Sequence, residues 1–260
     1  HSRDEDDYTR ASTGVGARLT WRVWERWRQS AGFRAERVTL DEFAPPFGGL
    51  DQDFDVYKLM LGLSRDTRNS VRHPTKGSRA QFRAELMAEG VGSYTSLGKL
   101  TVRGDKYFPL WEKERDLVLK LSGNFGVVDS FSGPDVALFD RFYAGGAYSI
   151  RGFERRDVGP VHPANPGFHV GGKTELVGSA ELVLQVVDMV YSSLFFDAGN
   201  VWSDVGDIDP ANVNASVGLG LHFELPIGPL RFDYGIPVIT DQAHLEDENG
   251  RLHFNLGYTF

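Results

Sequence analysis

Asp140-Arg-Phe-Tyr-Ala-Gly-Gly-Ala-Tyr-Ser-Ile-Arg-Gly-Phe-Glu-Arg-Arg-Asp-Val-Gly-Pro160 lies inside a turn-rich segment, residues 129–173, that interrupts a regular alternation of apolar and polar residues. Connections of this length are uncommon in compact proteins and are usually either functional or disordered. This one carries Phe139, Phe142, Tyr143, Tyr148, Ile150 and Phe153, which disordered segments lack. It also holds glycines where a backbone can turn tightly. The composition predicts an ordered loop folded against, or into, whatever its flanking strands build, with Arg151 as its charged tip.

The flanks read as strands. After the loop, Leu176, Ala180, Leu182, Leu184 and Val186 oppose Ser179, Glu181 and Gln185. Leu194, Phe196 and Trp202 then oppose Ser193, Asp197 and Gly199, and Val217, Leu219, Leu221 and Phe223 oppose Ser216, Gly218, Gly220, His222 and Glu224. Leu230, Phe232, Tyr234 and Ile236 alternate with Arg231, Asp233 and Gly235, and the chain ends with Leu252, Phe254, Leu256, Tyr258 and Phe260 on one face. Before the loop the same period of two recurs six times, beginning at Val15, Ala17, Leu19, Trp21 and Val23. The reading is all-β, with about eleven strands and no helix.

The composition narrows the class. The chain has 260 residues, a net charge of −8 and no cysteine, so disulfides and thiolate metal sites are excluded. Its basic residues are scattered, which argues against nucleic acid. No apolar run approaches the roughly 20 residues of a membrane helix. A membrane β-barrel is untouched by that test, because it hides its apolar band in alternate positions.

Two features favour such a barrel over a soluble two-layer sandwich. Short turns at 111–115 and 226–229 alternate with long polar connections at 203–213 and 240–250, the asymmetry of an outer-membrane barrel. The polar face is also unusually rich in charge, which a water-filled lumen tolerates. Trp21, Tyr107, Phe108, Trp111, Trp202 and Tyr258 lie near strand ends and are expected to form aromatic girdles.

Tyr143-Ala-Gly-Gly146, Ile150-Arg-Gly-Phe153 and Val158-Gly-Pro160 resemble the outer-membrane barrel assembly and polypeptide transport superfamily, most closely its barrel-assembly branch. The likeness continues through Asp66-Thr-Arg-Asn, His73-Pro-Thr-Lys-Gly-Ser78, Gly178-Ser-Ala-Glu-Leu182, Phe195-Phe-Asp-Ala-Gly-Asn-Val-Trp202, Gly228-Pro-Leu-Arg-Phe232 and Phe254-Asn-Leu-Gly-Tyr-Thr-Phe260, nearly the whole chain. The resemblance implies an integral protein of the bacterial outer membrane, a transmembrane antiparallel β-barrel with a long lumenal loop at 129–173. It implies a protein that folds and inserts other β-barrels, with outer-membrane lipids, unfolded client proteins and accessory lipoproteins as partners. No enzymatic chemistry, cofactor or nucleotide is expected. A polypeptide-exporting translocator of the same superfamily and a passive porin are the alternatives, and a fused lipase lying outside this sequence stays open. Family barrels are described with sixteen strands behind periplasmic repeat domains. Residues 1–260 are therefore expected to be the C-terminal part of a longer barrel, a natural short barrel with a twelfth strand being the competing reading.

The site residues follow. By strand parity Glu181 and Asp197 face the lumen on successive strands after the loop, where a guanidinium at the loop tip can meet both. The family motif assigns this pairing to Arg151, within Ile150, Arg151, Gly152 and Phe153. The last strand, with Phe254, Leu256, Gly257, Tyr258 and Phe260, resembles the family's terminal recognition signal and closing strand. Gly257 has no side chain to support pairing, so the seam is expected to be weak and able to lend its edge to a client strand. No metal site is expected: His1, His73, His162, His169, His222, His244 and His253 lack metal spacing. Asp204, Asp207 and Asp209 lack the glycine and terminal glutamate of a calcium loop. Gly199-Asn-Val-Trp-Ser203 is not a nucleophile elbow.

Overall fold

The structure, a computed structural model, describes residues 2–5, 8–41, 52–112, 116–225, 228–242, 245 and 249–256. Fourteen strands form among the described residues: β1 (Ser2–Glu5), β2 (Tyr8–Trp24), β3 (Trp27–Asp41), β4 (Gln52–Asp66), β5 (Gly77–Met87), β6 (Ser96–Glu112), β7 (Asp116–Ser132), β8 (Val161–His162), β9 (Asn165–His169), β10 (Thr174–Val187), β11 (Val190–Trp202), β12 (Asn214–Leu225), β13 (Gly228–Ile239) and β14 (Arg251–Leu256). Twelve make one antiparallel sheet in the order β1-β2-β3-β4-β5-β6-β7-β10-β11-β12-β13-β14, and β8 and β9 form a small ribbon inside the long loop. The eleven strands legible from alternation are β2–β7 and β10–β14; β1 is a short twelfth. Among the described residues β1 pairs only with β2 and β14 only with β13, so the sheet is a curled, open section of barrel.

The sheet is inside out by the standards of a soluble protein. Leu19, Phe33, Leu59, Leu61, Phe82, Leu100, Leu121, Leu194, Phe196, Leu219, Tyr234 and Phe254 all lie on its exposed face. On the opposite face Lys58, Glu175, Glu181, Asp197, Asp233 and His253 are buried. Exposed apolar patches on soluble monomers are limited to a few hundred Å², so a belt running the length of every long strand needs a lipid solvent.

The loop explains how charged groups come to be buried. Strand β7 continues to Ser132, so the connection is 133–173, slightly shorter than the alternation suggests. It folds into the concave side and brings Val136, Phe142, Ala144, Ile150, Phe153, Val158 and Phe168 into one cluster with Val38, Leu40, Val56, Met87, Val128, Val177 and Val201 from the strands. The lumenal face is therefore polar only in part; near the long-loop rim it turns apolar to receive the loop. The root of the loop is held by Lys173, whose ammonium lies 3.0 Å from Asp135, 3.0 Å from Asp204 and 3.2 Å from Asp129.

Two expected girdle residues are placed elsewhere. Trp21, Phe108 and Trp111 are exposed on the apolar face, but Tyr107 and Trp202 are buried. Tyr107 sits on β6 in the same parity as Arg103 and Asp105 and faces the lumen. Trp202 is at the end of β11, where the loop root covers it: Lys173 donates its backbone N–H to the Trp202 carbonyl at 3.0 Å. Tyr258 lies outside the described residues.

Candidate functional site

Pairing register assembles the site. Ser179 on β10 stands opposite Asp197 on β11, and Glu181 stands opposite Phe195. Same-face neighbours on adjacent strands are close enough to act together, so two carboxylates, a hydroxyl and a phenyl ring make one lumenal patch. Asp233 joins it from β13, where it faces Gly220 of β12 and His253 of β14.

Arg151 descends onto this patch from the loop. Its Nε and Nη2 donate to Asp197 Oδ2 and Oδ1 at 2.7 and 2.8 Å, a bidentate fork, and its backbone N–H donates to Asp197 Oδ2 at 3.1 Å. Nη1 donates to Glu181 Oε1 at 3.1 Å and lies 3.6 Å from Asp233 Oδ1, while Nη2 reaches Ser179 Oγ at 3.3 Å. The guanidinium carbon stands 3.5 Å from the centroid of the Phe195 ring, so the flat face of the cation is covered as well as its edge. Burial works against the charge on Arg151, but the Asp197 hydrogen bonds and the fields of Glu181, Asp197 and Asp233 outweigh it and raise the guanidinium pKa.

A second cation completes the balance. Arg231 Nε donates to Asp233 Oδ2 at 2.5 Å, and its Nη2 hydrogen-bonds Glu181. Lys120 Nζ lies 3.9 Å from Glu181, so three cations serve three carboxylates. Glu181, His222 and Asp233 are close enough to hold a metal ion between them. Two guanidinium groups already occupy those carboxylate oxygens, so the donor set is spent on arginine and does not fit a cation.

The neighbours of Arg151 lock its backbone. Ile150 and Phe153 are fully buried in the loop cluster. Gly152 adopts φ +94°, and a Cβ there would come within 2.9 Å of the Gly235 carbonyl carbon; a Cβ on Gly235 would meet Gly152 N at 2.6 Å. Glycine is needed on both sides of this contact. The Gly152 N–H donates to His253 Nε2 at 2.9 Å, and Arg251 on the same strand forks onto Glu154 at 3.0 and 3.2 Å. Strand β14 is thus bonded to the loop tip on its lumenal side through two residues. On its other face Phe254 and Leu256 are exposed, and Phe254 stacks obliquely on Phe232 with centroids 5.2 Å apart. Gly257, Tyr258 and Phe260 lie outside the described residues.

The expected trio of Arg151, Glu181 and Asp197 meets within hydrogen-bonding distance. Sequence reasoning does not single out Asp233, Arg231, Phe195, Gly235 or His253. Asp233 and Arg231 carry the lumenal parity of β13, the one available signal; their distance from the loop tip depends on sheet curvature.

A sheet that wears its apolar side chains outside, buries its charges inside and fills its concavity with a long loop defines an integral outer-membrane β-barrel protein. The chain belongs to the Omp85 superfamily, whose domain profile matches residues 1–260. It is similar to the outer membrane protein assembly factor BamA of Neisseria meningitidis serogroup B, with 27% identity over 300 residues covering 97% of this chain and 37% of the relative. The assembly factor BamA of Nitratidesulfovibrio vulgaris is 27% identical over 262 residues, covering 98% of this chain and 32% of the relative. The chain spans about a third of the length of these two curated relatives. The crystal structure of BamA from Haemophilus ducreyi lacking POTRA domains 1–3 matches with a TM-score of 0.79 at 24% identity, over 95% of this chain and 54% of that one, a likeness of fold.

Proposed function

We propose that this chain is the membrane-embedded part of an assembly factor that folds and inserts other β-barrels into the outer membrane. Its clients are unfolded outer-membrane proteins, its surroundings are outer-membrane lipids, and accessory lipoproteins complete the machinery. The observation that carries the reading is the coupling of the arginine clasp to β14. The loop tip is held by Asp197, Glu181 and Asp233 on one side and by His253 and Arg251 on the other. Within a superfamily that includes barrel assembly factors, such a link ties the lumenal loop to the strand at the end of the sheet.

In this mechanism Arg151 neither reacts nor binds a client. It holds the loop as a rigid strut, so that the lumenal face of β14 stays fixed while its outer backbone edge, which among the described residues has no partner strand, can pair. A client strand adds to that edge by β-augmentation, main chain to main chain. Gly257, Tyr258 and Phe260 follow β14 in sequence, and in this reading they would weaken and terminate the seam.

The test is client folding in liposomes by the intact gene product. Wild-type protein should accelerate folding of a barrel client several-fold over lipid alone and conduct ions erratically. Steady conductance with no acceleration would indicate a porin. Vectorial transfer of a soluble passenger would indicate an exporter. Either result overturns the proposal.

A further inference from the structure

The Pro-Thr-Lys-Gly-Ser turn has no part in the clasp, and its position is unexpected. Connections alternate between the two rims of the sheet. On the rim away from the lumenal loop four of them span only residues 25–26, 113–115, 188–189 and 226–227. The fifth, between β4 and β5, spans 67–76. It leaves the rim and crosses the lumen.

At its tip, His73 Nε2 lies 2.8 Å from Glu224 Oε2, and its ring stacks on Tyr191 at 4.4 Å with an interplanar angle of 19°. Glu224 shares parity with Ser216 and His222 on β12, and Tyr191 with Ser193 and Asp197 on β11, so both face the lumen. Five strand-to-strand steps separate β5 from β12 in the sheet. A contact between them through lumenal side chains spans the opening rather than following the wall.

The segment is built to move as one piece. Thr67 N–H donates to the Ser78 carbonyl at 2.8 Å and Asn69 N–H to the Lys76 carbonyl at 3.1 Å. Asn69 Oδ1 accepts the N–H groups of Thr75 and Lys76, each at 3.1 Å, and its Nδ2 donates to Thr75 Oγ1 at 2.8 Å. His73 N–H donates to Ser70 Oγ at 3.1 Å, and Pro74 restricts the backbone of His73. At the base Arg68 forks onto Asp66, with a closest approach of 2.7 Å. These bonds are internal to the turn and its own strands. Among the described residues, what fastens its far end is His73 on Glu224 and Tyr191.

We infer that the β4–β5 turn is a strap that closes the lumen at the short-turn rim, latched at His73. The lumen is then covered at both ends, by residues 133–173 above and by the strap below. The two covers differ in kind: the loop is held by a buried clasp and an apolar cluster, the strap by one half-exposed polar contact and one ring stack. The strap is the end that opens first.

The experiment uses the intact protein in a lipid bilayer, with His73→Ala and Glu224→Gln as separate variants. Two quantities are read: the rate of tryptic cleavage after the exposed Arg72, and ionic conductance. Loss of one partly exposed hydrogen bond corresponds to roughly a three- to tenfold rise in the open population. Both variants should show that rise in cleavage and in open-channel time, and the double variant should show no more than the larger single effect. Unchanged cleavage in both variants overturns the latch. Faster cleavage with unchanged conductance overturns the closure, because the strap would be anchored without sealing. The outcome is independent of whether the protein folds clients, since neither readout contains one.

Discussion

Replacing Arg151 with alanine tests the clasp most directly. Arg151 is 5% exposed, and its partners Glu181 and Asp197 are 3% and 0% exposed, so removing the cation leaves carboxylates that water cannot readily reach. Breaking a buried pair by deleting one partner costs about 3–5 kcal/mol. The lower figure applies here, because the loss is uneven. Glu181 keeps Arg231 and Lys120, and Asp233 keeps Arg231. Among the described residues Asp197 keeps the Ser179 hydroxyl and the backbone N–H of residue 151, and no cation. About 3 kcal/mol is close to two decades in an equilibrium constant, so the undocked population of the loop tip should rise roughly 100-fold. Hydrogen exchange at the backbone amides of residues 151 and 152 reads that population, since both are bonded in the docked state. Adding Asp197→Asn to Arg151→Ala should recover much of the loss, because the orphaned charge disappears. Exchange within about threefold of wild type, or strict additivity in the double variant, would refute the reasoning.

Gly152→Ala should undock the same tip by another route, because φ +94° and the Gly235 contact leave no room for a methyl group; strain of about 1–2 kcal/mol plus the clash should appear in the same exchange measurement. Leu219→Arg, mid-strand on the exposed face, should cost about 2–4 kcal/mol of bilayer stability in urea titrations in vesicles, whereas the charged substitution Thr101→Glu on the lumenal face, opposite Arg83, should cost little. The loop root should be pH-sensitive only at the extremes. Burial disfavours the Asp135 carboxylate, but its hydrogen bond to Lys173 prevails and depresses its pKa, so its contribution is complete above the ordinary aspartate range and fades as pH falls through the depressed value. Burial also opposes the Lys173 ammonium, yet Asp135, Asp204 and Asp129 raise its pKa, so its contribution is complete below the ordinary lysine range and is lost as pH climbs through the raised value. Hydrogen-exchange protection of the Lys173 amide, which is bonded to the Trp202 carbonyl at the loop root, should therefore stay level through neutral pH and fall first in strong acid; a change centred near neutrality at that amide would contradict this assignment.

Much of the architecture is legible because the solvent is asymmetric. Lipid on one side and a polar lumen on the other force side chains to alternate, as Val217, Leu219 and Leu221 do against Ser216, Gly218 and Gly220, and parity then places Glu181 and Asp197 on the lumenal face. The same reasoning misplaces Tyr107 and Trp202. Both are aromatics near strand ends, and nearness to an end does not assign a side chain to the membrane interface; Tyr107 falls on the lumenal side and Trp202 beneath the loop root. Alternation also passes over the inward apolar residues Val38, Leu40, Val56, Val128, Val177 and Val201, because the environment of the lumenal face changes along the strand once the loop occupies it.

By itself the sequence determined the strands, their faces, the interruption between β7 and β10 and the cation at its tip, all of which follow from local periodicity and residue chemistry. Tertiary structure alone decided which groups converge. Curvature of the sheet brings Asp233, Arg231 and His253 to the loop tip and carries His73 across to Glu224. These distances depend on how far strands remote in the chain roll toward one another, a quantity that no single strand's pattern contains.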